Sequence, residues 1–304
     1  MRRRPAPTVL LLQALVLALV QGLATFLPVS ASGHQEGVVY LAAWDPAGPG
    51  FQLALSLGAL AAVVLYFRSD LWFLIAGTFA VGGTREIDQE RARRTVVLLV
   101  LASLPGLAAG WWFDPPLFPE FPPERVVAGA LYATALLLVV AELLHRRRRA
   151  DELAVPVGRL SRSEAREDSG RHEGTVGVAD ALTVGVVQAA SIVPGLSRTA
   201  VTIAGGMGRG LSRAGATRLS LLLSIPMLAG AALSQYARLD DAPAGTAPFT
   251  GLHVAVAVVA TAGVGYWAIR LLLRLVTTDD LLGFARWVAL FATLVLLASF
   301  FVLG

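Results

Sequence analysis

Long apolar runs separated by short polar segments extend along the whole chain. A helix needs roughly 20 apolar residues to cross a bilayer. The runs that approach this length are residues 51–67, 95–112, 125–145, 217–236, 251–275 and 282–302. Another run, 71–81, is shorter and predicts a partial or interfacial helix. The pattern predicts an all-α polytopic membrane protein that forms a single membrane domain over residues 1–304.

Two further apolar stretches, 9–43 and 179–210, are each interrupted by proline, glycine and hydroxyl residues. Proline removes a backbone donor and glycine permits a positive φ, so a helix ends or bends at each interruption. Broken backbone at membrane depth is tolerated only where it is buried in protein or lines a cavity. We therefore predict two re-entrant helical hairpins, each followed by about three transmembrane helices.

The two interruptions occupy comparable places in the two halves of the chain, which is typical of inverted-topology repeats around a membrane site. The predicted division is a first repeat at 1–145, a polar cytoplasmic linker at 146–178 and a second repeat at 179–304. Arginines in 82–94 and 146–149 place both segments in the cytoplasm. Arg2–Arg4 would then lie outside, against the positive-inside rule. Arg2–Arg4 before Val9–Val20 also fits a signal peptide, but a first membrane helix is the preferred interpretation.

Composition supports the membrane interpretation and excludes several other classes. The chain is 56% hydrophobic and 15% charged, with a mean hydropathy of +0.67. The sequence pI near 10.1 would suggest nucleic acid in a soluble protein, but here the arginines flank apolar spans. Without cysteine, thiolate catalysis and cysteine-based metal sites are excluded.

The two interruptions carry the candidate chemistry. Arg198 follows Pro194 and Gly195, and an arginine in such apolar surroundings is a functional-site hypothesis by default. If the two interruptions meet, they form one site of hydroxyls, an amide, an imidazole and a guanidinium: Ser30, Ser32, His34, Gln188, Ser197, Arg198 and Thr199. Beside helix N-termini these groups would bind an anion. The simplest candidate substrate is an amphiphile whose phosphate headgroup is presented from the bilayer. Serine and histidine could supply a nucleophile and a base, or histidine alone could attack phosphorus.

The first interruption resembles a signature of the undecaprenyl-diphosphate phosphatase family, also known from bacitracin resistance. That signature is similar to Glu-Gly-x-x-Glu-Phe-Leu-Pro-[Ile/Val]-Ser-Ser-Thr-Gly-His, and residues 21–34 read Gln-Gly-Leu-Ala-Thr-Phe-Leu-Pro-Val-Ser-Ala-Ser-Gly-His. The second interruption resembles Gly-x-x-Gln-x-x-Ala-x-x-Pro-Gly-x-Ser-Arg-[Ser/Thr]-Gly-x-Thr. The positions that fit it are Gly185, Gln188, Pro194, Gly195, Ser197, Arg198, Thr199 and Thr202.

The resemblance implies an enzyme of the bacterial plasma membrane that removes the terminal phosphate of undecaprenyl diphosphate and recycles the lipid carrier of peptidoglycan synthesis. It also implies interlocked inverted repeats with re-entrant helices. The resemblance further implies that Arg198 binds the diphosphate and that His34 acts as nucleophile or proton carrier. Ser30 and Ser32 are the remaining catalytic candidates. The substrate-binding candidates are Gln21, Thr25, Gln188, Gly195, Ser197 and Thr199. The expected partners are a polyprenyl diphosphate lipid and the membrane, without nucleic acid, and a homodimer is left open.

Two positions depart from the family signature. Gln21 and Thr25 stand where the family has glutamates, which are associated with proton transfer or with a divalent cation such as Mg or Ca. Neither residue can take a proton at working pH, and loss of a general base lowers a rate on the order of 100- to 10,000-fold. Glu36 is a candidate substitute, and Ala31 replaces a family serine. A non-hydrolytic polyprenyl-phosphate binder or flippase is therefore the second hypothesis, and a structural membrane protein the third.

Overall fold

The computed structural model describes residues 7–113, 122–154, 170–241 and 247–301, and these residues form helices joined by short turns. In the first half the helices are α1 (Pro7–Phe26), α2 (Ala31–Leu41), α3 (Pro49–Tyr66), α4 (Arg68–Thr78), α5 (Glu86–Trp112) and α6 (Pro123–Ala154). In the second half they are α7 (Val178–Ala189), α8 (Arg198–Gly208), α9 (Arg213–Ala237), α10 (Gly251–Thr278) and α11 (Leu282–Phe301). The predicted fold class, an all-α polytopic membrane protein, is confirmed.

Within the described ranges, seven helices are long and apolar enough to cross a membrane: α1, α3, α5, α6, α9, α10 and α11. Large apolar side chains such as Trp112, Val259 and Phe301 are exposed on their outer faces, as lipid contact requires. The short apolar run near residue 75 forms α4, whose 11 residues cannot cross alone. Each half thus contains a pair of helices around a Pro/Gly interruption and three long helices, and the inverted orientation of the halves stays a prediction.

The two interrupted stretches are built differently. In the second stretch, α7 and α8 have 12 and 11 residues, so each reaches only part of the way across a bilayer. In the first stretch, α1 has 20 residues and is itself long enough to cross, whereas we expected a re-entrant arm. The reason is position: Pro28 lies beyond the end of α1, so the apolar residues before it form an uninterrupted helix.

The predicted linker begins later than residue 146. Helix α6 continues through Ala154, because its arginines find partners beside the helix. Arg146 donates to Glu142 at 2.9 Å, and Arg148 donates to the carbonyl oxygens of Met207 and Gly208 at the C-terminal end of α8. Cations are stabilising at that end of a helix. Of the remainder of the predicted linker, 155–169 lies outside the described residues, and 170–177 leads into α7 with a 3-10 turn at Glu173–Thr175.

One apolar core takes residues from both halves of the chain. Phe26, Leu131, Ile203, Leu223 and Ile269 are fully buried members of it. Helix α10 packs against α1 and α3, and α11 packs against α6, so the halves interleave. This interleaving brings α2 and α8, the helices that follow the two interruptions, to the middle of the molecule beside α6.

Candidate functional site

The two Pro/Gly interruptions touch each other, backbone against backbone. A Cβ built on Gly33 would lie 2.9 Å from the Cα of Gly195, so a larger residue at position 33 would push the segments apart. Gly195 has a φ of +95°, and its own Cβ would lie 2.6 Å from the carbonyl oxygen of Val127. The Gly195 N–H donates to the hydroxyl of Ser32 at 3.3 Å. The sequence-based expectation that the interruptions meet agrees with this geometry.

Two helices begin where the interruptions meet, and a serine caps each one. The Ser30 hydroxyl accepts the N–H of Gly33 at 3.2 Å at the start of α2. The Ser197 hydroxyl accepts the N–H of Ala200 at 3.2 Å at the start of α8. Ser30 holds a φ of 75°, a left-handed conformation that is strained for a non-glycine residue. The positive ends of two helix dipoles therefore face the same space, which favours an anion.

A cavity of about 150 Å³ lies between the two helix starts, and we call it the headgroup pocket. It contains most of the predicted site residues, and residues that the sequence did not single out complete its wall. Its lining consists of Gln21, Ala24, Thr25, Ser30, Ala31, Ser32, Ser191, Leu196, Ser197, Arg198, Thr199 and Leu228. Side chains more than 150 positions apart in sequence thus share one small polar space.

Arg198 supplies the charge of the headgroup pocket. Its Nη2 lies 3.5 Å from the carbonyl oxygen of Thr25, a long hydrogen bond, while its Nη1 is buried without a partner among the described residues. The Thr25 hydroxyl is also buried without a partner there. Thr199 donates to the same Thr25 carbonyl at 2.9 Å and so fixes the start of α8 against α1. Buried donors without acceptors are costly, and a bound anionic oxygen would satisfy them.

His34 does not line the headgroup pocket. Its Nε2 accepts the indole N–H of Trp287 at 3.0 Å, its Nδ1 donates to the carbonyl oxygen of Ser30 at 2.9 Å, and its ring stacks on Phe291. The imidazole instead borders a different, largely apolar cavity of about 640 Å³, together with Trp287 and Leu275. Both ring nitrogens are engaged, and the contact to Ser30 supports the strained turn.

Gln188 also lies away from the headgroup pocket. Its side chain is fully buried and donates to the carbonyl oxygen of Ala102, which joins α7 to α5. The Gly106 backbone lies so close that a Cβ there would be 3.0 Å from the Gln188 side chain. This geometry indicates a helix-to-helix contact.

Comparison of the sequence with known proteins assigns the chain to a family. The sequence model described as "Bacitracin resistance protein BacA" matches residues 14–294. The chain belongs to the BacA family. An undecaprenyl-diphosphatase of Rubrobacter xylanophilus is 36% identical over 295 residues, which cover 94% of this chain and 99% of the relative. An undecaprenyl-diphosphatase of Pelobacter propionicus is 33% identical over 285 residues, covering 93% and 94%. "Undecaprenyl-diphosphatase 2" of Stutzerimonas stutzeri is 35% identical over 218 residues, covering 72% and 73%.

Thr134 in α6 holds the second interruption of this BacA-family chain in place. Its hydroxyl accepts the N–H of Ser197 at 3.0 Å and lies 3.0 Å from the carbonyl oxygens of Gly195 and Ala130, either of which can accept its proton. The residue is fully buried. In the sequence it is one threonine in an apolar run, which is more often a packing residue, so the sequence carried no signal for this role.

A second cavity, of about 800 Å³ and with a mixed polar and apolar lining, adjoins the headgroup pocket, and we call it the vestibule. The two share Gln21, Ala31 and Ser32 as lining residues. The charged and amide groups that line the vestibule are Gln21, Gln35, Glu36, Gln52, Gln235 and Arg238. Sequence reasoning named Gln21, Ser32 and Glu36 but did not anticipate this cavity, because its wall combines α1, α2, α3 and α9.

The headgroup pocket does not fit a protein-held divalent cation. Its lining offers hydroxyls, an amide and a guanidinium, whereas Mg²⁺ and Ca²⁺ prefer carboxylate and carbonyl oxygens. Across the described ranges, no group of three or more His, Cys, Asp or Glu side chains is placed to hold a metal ion. The residues present fit an anion.

Proposed function

We propose that this protein hydrolyses undecaprenyl diphosphate to the monophosphate and inorganic phosphate, and so recycles the lipid carrier of cell-wall synthesis. Membership of the BacA family and relatives named undecaprenyl-diphosphatase over nearly the whole chain support this activity. The observation that carries it is the buried Arg198 guanidinium, whose Nη1 has no partner among the described residues and which faces a small polar cavity between two helix starts. A terminal phosphate matches that cavity in charge and in donor geometry.

The substrate enters by its headgroup, while its isoprenoid chain remains with the membrane. Arg198 binds phosphate oxygens, and the N-termini of α2 and α8 add two sets of oriented backbone dipoles. Hydroxyls of Ser30, Ser32 and Ser197 line the same space. These groups stabilise the negative charge that shifts onto phosphate oxygens as the bridging P–O bond breaks.

Among the candidate nucleophiles, a hydroxyl is better placed than the imidazole. The Nε2 lone pair of His34 already accepts the Trp287 indole N–H, and His34 borders a different cavity. Ser32 and Ser30 line the headgroup pocket, with their Oγ atoms 3.4 Å apart. We therefore assign His34 the role of a positioning residue for Ser30.

The remaining assignments extend the same proposal. The protein resides in the bacterial plasma membrane, and the arginine-rich end of α6 with the following linker lies in the cytoplasm, as the positive-inside rule predicts. We assign no Mg or Ca to a protein site, because the lining fits an anion. A homodimer stays a prediction, and its test is the mass of the detergent-solubilised protein.

The test is phosphate release by the purified protein from farnesyl diphosphate and undecaprenyl diphosphate, with Arg198→Ala as the matched inactive variant. We expect turnover by the wild type and its loss in Arg198→Ala. No release above that variant across pH and added divalent cations would reject the hydrolase. In that event, saturable binding or flipping of polyprenyl phosphate in liposomes would support the hypothesis of a non-hydrolytic binder or flippase. Absence of binding would support the hypothesis of a structural membrane protein.

A further inference from the structure

The vestibule and the headgroup pocket meet at Ser32. This residue lines both cavities, and its hydroxyl accepts the Gly195 N–H at 3.3 Å, so its oxygen is fixed at the junction. Among the described residues that line it, the headgroup pocket itself contains Arg198 but no carboxylate. A hydroxyl that attacks phosphorus must lose a proton, and no group inside that pocket can accept it.

Among the described residues that line the vestibule, Glu36 is the one carboxylate and Arg238 is the other charged group. Ser32 and Glu36 lie four positions apart in α2, one helical turn, so they share a face with Cβ atoms about 5–6 Å apart. That face borders the vestibule, because both residues line it. Within the described part of the chain the Glu36 carboxylate has no hydrogen-bond or ion-pair partner, and the residue is exposed. It is therefore free to exchange protons with water.

A ladder of three glutamines fixes the rotation of α2 and thereby the direction of Glu36. Gln35 donates to the side-chain oxygen of Gln21 in α1 and accepts from Gln52 in α3 at 3.2 Å. Gln35 is buried between these helices. With Gln35 held in this way, α2 cannot rotate about its axis without breaking both hydrogen bonds, so position 36 stays at the vestibule.

We propose that Glu36 accepts the proton of the Ser32 hydroxyl, through a bridging water, as the Ser32 oxygen attacks the terminal phosphorus. This inference rests on the proposed function. The Ser32 O–P bond forms, the bond from that phosphorus to the bridging oxygen breaks, and undecaprenyl monophosphate leaves with the bridging oxygen. Water then attacks the phosphoserine. Its oxygen remains on the released phosphate with one proton, its other proton returns to the Ser32 oxygen, and Glu36 releases its proton to the vestibule.

The relay places a carboxylate one helical turn from the reacting hydroxyl, although Gln21 and Thr25 carry none. Glu36 lies two residues beyond His34 and therefore outside the motif that contains Gln21 and Thr25. Proton acceptance would therefore come from α2, the helix that also carries Ser32, and not from α1.

The test compares wild type, Glu36→Gln, Glu36→Asp and Ser32→Ala in the farnesyl diphosphate assay, with lipid-diphosphate affinity measured in parallel. Glu90→Gln is the matched control, because Glu90 lines a separate cavity beside Arg93. We expect Glu36→Gln to lower kcat on the order of 100- to 10,000-fold while affinity is retained. Glu36→Asp keeps the carboxylate, so its kcat should lie between the values of the wild type and Glu36→Gln. The loss in the Ser32→Ala, Glu36→Gln double variant should be smaller than the product of the single losses.

The pH profile separates proton acceptance from a structural effect. The wild-type rate should fall in acid as Glu36 becomes protonated, and this acid limb should be absent from the residual activity of Glu36→Gln. Arg238 is the other charged group among the described residues that line the vestibule. If the wild type is active and Glu36→Gln has the same rate and the same fall in acid, this inference is overturned and the proposed function is not. A wild type that releases no phosphate would overturn the proposed function together with it.

Discussion

Trp287 donates its indole N–H to Nε2 of His34 at 3.0 Å, and the same imidazole donates from Nδ1 to the carbonyl oxygen of Ser30. This relationship joins α11 to the strained residue that starts α2. This role for His34 could not be predicted from the sequence, since Trp287 lies 253 positions away along the chain. Support of the Ser30 turn is a function that a neutral, hydrogen-bonded imidazole can perform.

The variant Trp287→Phe tests this role. It removes the donor and preserves an aromatic ring beside His34, so we expect a loss of about 1 kcal/mol of stability and a small fall in kcat. Trp267→Phe is the control, because Trp267 and Trp287 are both 56% exposed. The readouts are thermal unfolding in detergent and phosphate release. An increase in activity in Trp287→Phe would instead indicate that Trp287 restrains a nucleophilic imidazole.

Arg198→Lys probes the geometry of the guanidinium separately from its charge. Lysine keeps a positive charge but loses the planar fork that binds two phosphate oxygens at once. We expect diphosphate affinity to fall roughly 10- to 100-fold, corresponding to one lost charge-assisted hydrogen bond. The exposed Arg270→Lys in α10 should bind like wild type. Equal affinities of the two variants for the lipid diphosphate would show that Arg198 does not contact the phosphate directly.

Thr134→Val removes one hydroxyl and keeps the side-chain shape. The buried N–H of Ser197 then loses its acceptor, so we expect a loss of about 1–3 kcal/mol in stability. Because Ser197 caps α8 beside Arg198, substrate affinity should fall as well. Thr277→Val removes an exposed hydroxyl that donates to its own helix, and it should change neither quantity. Thermal unfolding and lipid-diphosphate binding give the two readouts, and an unchanged affinity would limit Thr134 to a stabilising role.

The sequence was sufficient to predict the helical class and most of the polar residues that line the headgroup pocket, for identifiable physical reasons. Apolar length predicts membrane helices directly. Pro28, Pro194 and Gly195 mark the interruptions because they constrain the backbone itself, wherever the chain goes. Arg198 was identifiable because a guanidinium in apolar surroundings requires an anionic partner.

What the sequence could not predict depends on contacts between distant segments. Thr134 gains its role only because α6 packs beside α8, and the Trp287–His34 bond joins residues 253 positions apart. The extension of α6 beyond residue 146 follows from partners such as Glu142 and the end of α8. Arginines at the end of an apolar run otherwise indicate a polar linker.

Asp180 near the start of α7 predicts an acid-sensitive contact outside the long membrane helices. Its side chain is 3% exposed and binds both Arg209 and Arg171 at 2.9 Å. Burial disfavours the charged form, but hydrogen bonds from the Gly177 N–H, Arg209 and Arg171 outweigh it, so the pKa of Asp180 is lowered. A lowered folded-state pKa stabilises the fold above the ordinary aspartate pKa, and this stability is lost as pH falls through the folded value.

The matched pair is Asp180→Asn and Asp88→Asn, since the Asp88 carboxylate pairs with the largely exposed Arg85. Asp180→Asn should lower stability by about 1–3 kcal/mol at neutral pH and should flatten the acid dependence of Tm. Asp88→Asn should do neither. Thermal unfolding measured from neutral to acidic pH checks both, and an unchanged acid dependence in Asp180→Asn would contradict the prediction.

Restoring acidic residues at positions 21 and 25 should change the pocket from one that binds an anion alone to one that also binds a divalent cation. Gln21→Glu is nearly isosteric, and its carboxylate can still accept the Gln35 N–H. Thr25→Glu places a second carboxylate beside Arg198, where the Thr25 hydroxyl has no partner among the described residues. We expect the double variant to bind Mg²⁺ saturably in calorimetry without lipid, and the wild type not to do so.

The same double variant should raise phosphate release, because the restored carboxylates add proton acceptors inside the pocket. Gln21→Asn with Thr25→Gln is the control: it alters size at both positions and adds no charge, so neither Mg²⁺ binding nor release should rise. Saturable Mg²⁺ binding by the wild type would contradict the assignment of an anion-only lining. A double variant that binds Mg²⁺ but releases phosphate no faster would show that proton acceptance already comes from elsewhere in the chain.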